Sequence, residues 1–164
     1  LQNAVVEVWH ANSLGNYSYF DPTQSAFNLR RSIITDSEGR YRFRSIMPVG
    51  YSVPPDGTTN RLLKQLDRHG TRPAHIHFFV SAPGHRKLTT QINIDGDPYL
   101  WEDFAFATRE GLVPPVTRVD DRAAMQAAGT DKPFAMIRFD FTLHAENTNA
   151  PQAEVTRQRA AVTA

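Results

Sequence analysis

Two histidines one residue apart, His75 and His77, are the strongest chemical signal in this chain. They lie in the run Arg72-Pro73-Ala74-His75-Ile76-His77-Phe78-Phe79-Val80, whose aromatic and β-branched residues predict a buried strand. It reaches Ser81 before the turn signal Pro83-Gly84. Residues two apart in a strand point the same way, roughly 6.5–7 Å apart along the backbone. His75 and His77 therefore share one face, and Ile76, Phe78 and Val80 share the other. Two imidazoles on one rigid strand suit a single metal ion. A pair of half-buried histidines bonded to backbone carbonyls fits the same spacing, because two ligands do not make a site.

Two tyrosines stand where they could complete one: Tyr17 follows a Gly-Asn loop, and Tyr51 sits inside a proline-rich loop. A free phenol has a pKa of about 10 and binds a metal only when the ion is acidic enough to displace its proton. Ferric iron favours phenolate oxygen, and tyrosinate on iron has precedent in catalase. Zinc gains little from such donors. Taken singly, each tyrosine also fits a core ring whose hydroxyl bonds a neighbour.

These donors need elements to hold them. Residues 4–10 alternate as a strand, and Asn12 to Asn16 read as a loop. Ser32 to Thr35 and Arg40 to Ile46 predict two strands joined by the turn Asp36-Ser37-Glu38-Gly39, with Gly39 where a positive φ is needed. In the second of these, Tyr41 and Phe43 share one face and Arg40, Arg42 and Arg44 the other. Pro48 to Gly57 reads as an irregular, stiff loop without regular structure. Thr58 or Thr59 caps a helix with an apolar stripe of Leu62, Leu63 and Leu66, stopped by Gly70. Leu88 to Ile94 predicts a strand with Leu88, Thr90, Ile92 and Ile94 on one side and Thr89, Gln91 and Asn93 on the other. Trp101 to Thr108 and Asp121 to Ala128 predict short helices, and Ala135 to Leu143 a last strand.

Short strands, frequent turn signals and no βαβ alternation predict a mostly β protein, a mixed-topology two-sheet β-sandwich with a few short helices. Residues 1–145 form the expected domain, and 146–164, polar and Ala-rich, a loosely attached tail. The opening drops almost directly into a strand pattern and reads as a piece cut from a longer chain.

Composition narrows the chemistry. With 164 residues the chain is one domain's worth. A formal net charge of +1 with scattered Lys and Arg argues against a nucleic-acid surface or a polybasic membrane patch. No apolar run approaches a membrane-spanning helix. There is no cysteine, so any metal site must use His, Tyr or carboxylate.

The order of motifs adds a family resemblance. Val6 to Asn12 with Gly15-Asn16-Tyr17-Ser18, Phe27 to Arg31, Gly50-Tyr51 with Pro54-Pro55-Asp56-Gly57, and Arg68-His69-Gly70 resemble the intradiol ring-cleavage dioxygenases. Arg72 to His77, Ser81 to His85, Leu88 to Asn93 and Asp103-Phe104-Ala105 continue the match, which runs from Val5 to about Phe141. The catechol-cleaving branch is the nearest pattern. The resemblance implies one non-haem Fe(III) per chain, bound by Tyr17, Tyr51, His75 and His77, with Tyr51 and His77 axial. It implies insertion of both atoms of O2 into an aromatic diol, with catechol giving cis,cis-muconate and chlorocatechol or hydroxyquinol as alternative substrates. Two tyrosinates and a hydroxide neutralise Fe(III), and a catechol dianion can replace the hydroxide and one tyrosinate without changing that charge. Tyr51 then doubles as general base.

Arg72 matches an arginine that stabilises charge beside the ring, and Gln91 a glutamine close to the iron. Val53, Phe104 and Ala105 match substrate-lining positions, although catechol-specific relatives often carry Cys in place of Val53. The resemblance further implies a bacterial cytoplasmic enzyme, dimeric at full length, with lipid between N-terminal helices that this sequence does not show. Without those helices the expectation is an iron-binding, weakly active chain with an exposed apolar patch.

Two other classes compete with this one. A cupin-like Fe(II) oxygenase would add Asp95, Asp97 or Glu102 to the two histidines. A non-enzymatic β-sandwich binding module would leave the histidines structural.

Overall fold

Alternation along the strands sorts them into an apolar core side and a second side that carries the polar residues together with Trp9 and Phe79. The computed structural model describes residues 1–146, with elements β1 (Val5–His10), β2 (Arg30–Ile34), β3 (Tyr51–Ser52), α1 (Thr58–Gln65), β4 (Thr71–Arg72) and β5 (His75–Ser81). These are followed by β6 (Leu88–Asn93), a 3-10 turn (Glu110–Leu112), β7 (Val116–Val119), α2 (Arg122–Ala127) and β8 (Phe134–Ile137). β2, β1, β5 and β6 form one antiparallel sheet in that order. Val6 and Val8 of β1, Ile76, Phe78 and Val80 of β5, and Ile92 of β6 bury their side chains on one face of it. Burying each such side chain contributes about 1.5–3 kcal/mol.

The opposing layer is supplied by Tyr41, Phe43, Val116, Ile137, Phe139, Phe141 and Leu143, which pack against that cluster. The result is a two-layered β-sandwich, mostly strand with little helix. Among the described residues every strand pairing is antiparallel.

Several elements differ from expectation. The turn at 36–39 forms, with Asp36 Oδ1 accepting from the N–H groups of Glu38 and Arg40, but Arg40 to Ile46 makes no ladder. Side chains hold this segment instead: Tyr41 donates its hydroxyl to the Phe139 carbonyl at 2.8 Å and stacks on Phe141. The last strand likewise ends at Ile137, and beyond it Phe139, Phe141 and Leu143 pack on the core without joining a ladder.

Residues 101–108 form turns rather than a helix. The Asp103 carboxylate takes the N–H groups of Ala105 and Ala107, diverting the backbone from helical bonding, and Phe106 adopts φ 51°. Helix α1 is capped by Gly57 without a side-chain bond, so neither Thr58 nor Thr59 caps it. It ends at Gln65 with Asp67 in the left-handed region at φ 52°, well before Gly70. Only Leu63 of its stripe is buried, whereas Leu62 and Leu66 are exposed. Helix α2 forms within the expected span, with Asp121 as its cap accepting from Ala124 N–H.

The proline-rich loop is irregular except where Tyr51–Ser52 pairs with Thr71–Arg72, a ladder that its composition conceals. Leu14, Phe20, Phe27, Trp101 and Phe106 are all more than half exposed. Of the predicted tail, all but Glu146 lies outside the described residues. No helix among the described residues is long and apolar enough to cross a membrane.

Candidate active site

The face of the sheet opposite the core gathers the donors. Antiparallel register sets His77 between Trp9 of β1 and Gln91 of β6, and His75 opposite Asn93. Directly paired residues point to the same side of a sheet. His75, His77, Gln91, Asn93 and Trp9 therefore share one surface.

Each histidine is held by a different device. His75 is buried, and its Nδ1 donates to the Pro73 carbonyl at 2.6 Å, which leaves Nε2 unprotonated with its lone pair facing the cluster. The backbone-carbonyl reading of this residue is thus correct and does not exclude a ligand role, since it is how a ligating imidazole is oriented. His77 lies flat on the Trp9 indole, with ring centroids 4.9 Å apart and an interplanar angle of 9°. Burial pulls His75 down to about 4; burial and the His75 ring together pull His77 down to about 3. Both imidazoles are neutral at pH 7.

The two Nε2 atoms stand 3.0 Å apart, and the Tyr17 hydroxyl lies 3.2 Å from that of His77 and 3.4 Å from that of His75. Ligands about 2.0–2.1 Å from one metal, at angles between 90° and tetrahedral, are separated by about 2.9–3.4 Å. These three donors fit the edges of a coordination shell. The Tyr51 ring stands beside them, its centroid 5.4 Å from Tyr17 at 90° and 5.5 Å from His75. Tyr51 reaches this place because Gly50 lets the chain pass β4: a Cβ there would lie 2.6 Å from the Arg72 carbonyl oxygen. Burial, with the Tyr51 hydroxyl adding, raises Tyr17 well above an ordinary phenol. A metal bound here must displace that proton, which selects a strongly acidic, hard ion.

Arg72 pairs with Tyr51 across the β3–β4 ladder and points inward. Its Nη1 donates to His75 Nε2 at 3.3 Å and its Nη2 to Gln91 Oε1 at 2.9 Å. Gln91 in turn donates to Asn93 Oδ1 at 3.0 Å, and Asn93 to Thr108 Oγ1 at 3.1 Å. Burial opposes the Arg72 charge, but the Asp103 carboxylate and the Tyr51 hydroxyl together more than offset it, so the guanidinium stays ionised.

The remaining expected residues lie further out. Val53 is half-buried, bonded through its N–H to the Gly70 carbonyl, and Gly70 leaves room for its methyl groups. Phe104 is half-buried and Ala105 exposed, on the loop that follows Asp103. No carboxylate joins the histidines: among the described residues no three His, Asp or Glu side chains form a metal-binding group. Asp97 instead accepts from the N–H groups of Ala74 and Tyr99, Glu102 lies nearest His69, and Asp95 is exposed. The cupin-like arrangement is therefore not formed.

Trp9, Asn93 and Asp103 were not singled out from the sequence. Trp9 was findable, since alternation from Val6 and Val8 places it on the histidine side. Asp103 had no periodic signal, because it stands in turns. Two surface cavities of about 670 and 370 Å³ lie elsewhere, beside α2 (Met125, Gln126, Gly129) and the β7–β8 hairpin (Thr117, Met136), so donor chemistry rather than concavity locates the site.

The fold and the donor set define a β-sandwich protein carrying a two-phenol, two-imidazole cluster on one sheet face. The chain belongs to the intradiol dioxygenase family, whose model, described as "Dioxygenase", matches residues 1–145. It is 75% identical over 130 residues to catechol 1,2-dioxygenase 2 of Acinetobacter lwoffii, covering 79% of this chain and 47% of that one. It is 57% identical over 164 residues to catechol 1,2-dioxygenase of Acinetobacter baylyi, covering 99% of this chain and 53% of that one. The crystal structure of Acinetobacter radioresistens catechol 1,2 dioxygenase superposes with a TM-score of 0.89 at 60% identity, covering 98% of this chain and 52% of that one. The chain thus spans about half the length of the relatives it matches.

Proposed function

We propose that Tyr17, Tyr51, His75 and His77 hold one Fe(III) per chain, and that the protein cleaves catechol with O2 between its two hydroxyl-bearing carbons to give cis,cis-muconate. The observation that carries this is the approach of Tyr17 Oη and both Nε2 atoms to 3.0–3.4 Å of one another. Catechol and O2 together contain the atoms of muconic acid, so no further reductant is needed. When bound, the ferric ion would supply Lewis acidity that favours loss of both diol protons, leaving an electron-rich ring with carbanion-like character at the carbon that meets O2.

The chain's own groups do the rest. Pro73 and Trp9 orient the two imidazoles. Tyr51, as the phenolate, would take up a diol proton and so act as general base. Arg72 presents Nη1 beside His75, where negative charge develops on the ring, and Gln91 steadies that guanidinium. Val53, Phe104 and Ala105 lie toward the substrate ring. In this reading residues 1–145 are the catalytic domain and the following residues a tail. The protein works in the bacterial cytoplasm, as a homodimer with lipid at a helical interface where the family's N-terminal helices are present.

Product analysis tests the reaction. The iron-loaded protein is red-purple without substrate, from phenolate-to-iron charge transfer, and converts catechol to a dicarboxylic acid. Assays against chlorocatechols, hydroxyquinol and protocatechuate rank the substrates. A colourless protein with a full complement of iron, or a yellow semialdehyde product, overturns the reading.

A further inference from the structure

Asp103 keeps a carboxylate where solvent barely reaches: its side chain is 1% exposed, and that of its partner Arg72 is 12% exposed. A charge so buried persists only when its oxygens are fully engaged. Both are. Oδ1 accepts from Arg72 Nε at 3.2 Å and from Ala105 N–H at 3.1 Å. Oδ2 accepts from Arg72 Nη2 at 3.2 Å and from Ala107 N–H at 3.1 Å. Each oxygen therefore bridges the guanidinium to the 103–107 loop.

A guanidinium is planar, so fixing one edge fixes the direction of the remaining nitrogen. Asp103 holds the Nε–Nη2 edge, and Gln91 takes a further bond from Nη2. The free end, Nη1, is thereby aimed at His75 Nε2, 3.3 Å away, at the rim of the donor cluster. We infer that Asp103 is the positioning residue for Arg72: its carboxylate fork locks the guanidinium so that Nη1 meets the negative charge developing on the bound diol. The inference rests on the catechol-cleaving reading above for its purpose, though not for its geometry. Asp103 touches no reacting atom. Because the same carboxylate shapes the loop bearing Phe104 and Ala105, it couples the direction of the cation to the loop that faces the substrate ring.

A simple loop staple would look similar by loss of activity alone, so the test uses two readouts. In the metal-free protein the Arg72 Nε–H, assigned by its disappearance in Arg72→Lys, exchanges slowly with solvent in nitrogen-15 NMR spectra. Asp103→Asn speeds that exchange by roughly 10- to 100-fold, the range that loss of a charged hydrogen bond allows. Asp103→Ser is the companion variant, since it removes the charge without setting an amide N–H against Ala107 or Arg72. In the iron-loaded protein Asp103→Asn lowers kcat/KM for catechol by roughly 100-fold. The same change costs far less in an Arg72→Ala background, where only its bonds to the 105–107 backbone remain to be lost. Equal losses in both backgrounds, or unchanged Nε–H exchange in both variants, overturn the proposal. Absence of catechol turnover in the unaltered, iron-loaded protein instead counts against the reaction, and the exchange rates still decide the role of Asp103.

Discussion

On one face of the central sheet Val6, Val8, Ile76, Phe78, Val80 and Ile92 pack by shape alone; on the other, Trp9 stacks on His77 while His75, His77, Gln91 and Asn93 are held by directed bonds to one another and to Arg72. The same three strands supply both sets. The apolar face tolerates small shifts, because dispersion and burial fall off gradually with distance. The polar face does not, because each lone pair and N–H needs one partner in one direction. Among the described residues no buried side-chain nitrogen or oxygen lacks a partner. A one-residue slip of β5 would exchange the two sets and ruin both faces together. The core therefore acts as the clamp that holds donor spacing to a few tenths of an ångström.

The sharpest way to separate the faces is to remove one histidine. His75→Ala or His77→Ala should abolish stoichiometric iron binding and the visible band, while the unfolding midpoint of the metal-free chain moves far less. Iron per chain and urea denaturation read the two effects side by side. A midpoint that collapses with the metal would mean that the donors also carry the fold.

Phe78→Ala probes the other face. The ring is 1% exposed and contacts Tyr41, Phe43 and Phe141. Its removal should cost about 3–5 kcal/mol of stability. What iron the folded fraction binds should keep its absorption maximum. A shifted maximum in fully folded protein would show that the two faces are not mechanically separate.

Acid should unfold the metal-free chain from both faces. Burial lowers His10, on the core face; it also pulls His75 down to about 4 and, together with the His75 ring, His77 down to about 3. The unfolded chain takes up protons near the ordinary histidine value of about 6.5, where the folded chain does not. Stability is therefore full above that value. It falls as pH drops from there toward the folded values, because the unfolded state binds more protons. Bound iron should hold stability to lower pH, since His75 and His77 must then shed metal before they can charge. Urea midpoints at pH 7.5 and 5, with and without iron, check both signs.

The smallest effect belongs to the solvent end of the donor face. Glu7 pairs with Lys87 at 3.6 Å, both partly exposed. Glu7→Gln should change stability by less than about 0.5 kcal/mol and leave iron content untouched. A larger change would show that the polar face is ordered along its whole length.

The division of the strands into two faces is written along the chain. Alternation is local covalent geometry, so the shared face of His75 and His77, the core side of Ile76 and Phe78, and the place of Gln91 were legible without any contact. The Asp36–Gly39 turn was legible for the same reason. Tyr17 and Tyr51 were suggested by donor chemistry and carried into one set only by motif resemblance, because each enters from a loop with no period. Where side chains rather than backbone ladders hold a segment, as at Tyr41, Phe43 and Phe139, a strand pattern overstated the hydrogen bonding. Tertiary structure alone decided the rest. Pairing of Tyr51 with Arg72 closes a 21-residue span, and the fork from Asp103 to Arg72 closes 31. Such contacts depend on where long connections bring their ends, which the core packing sets and the spacing of residues along the chain does not encode.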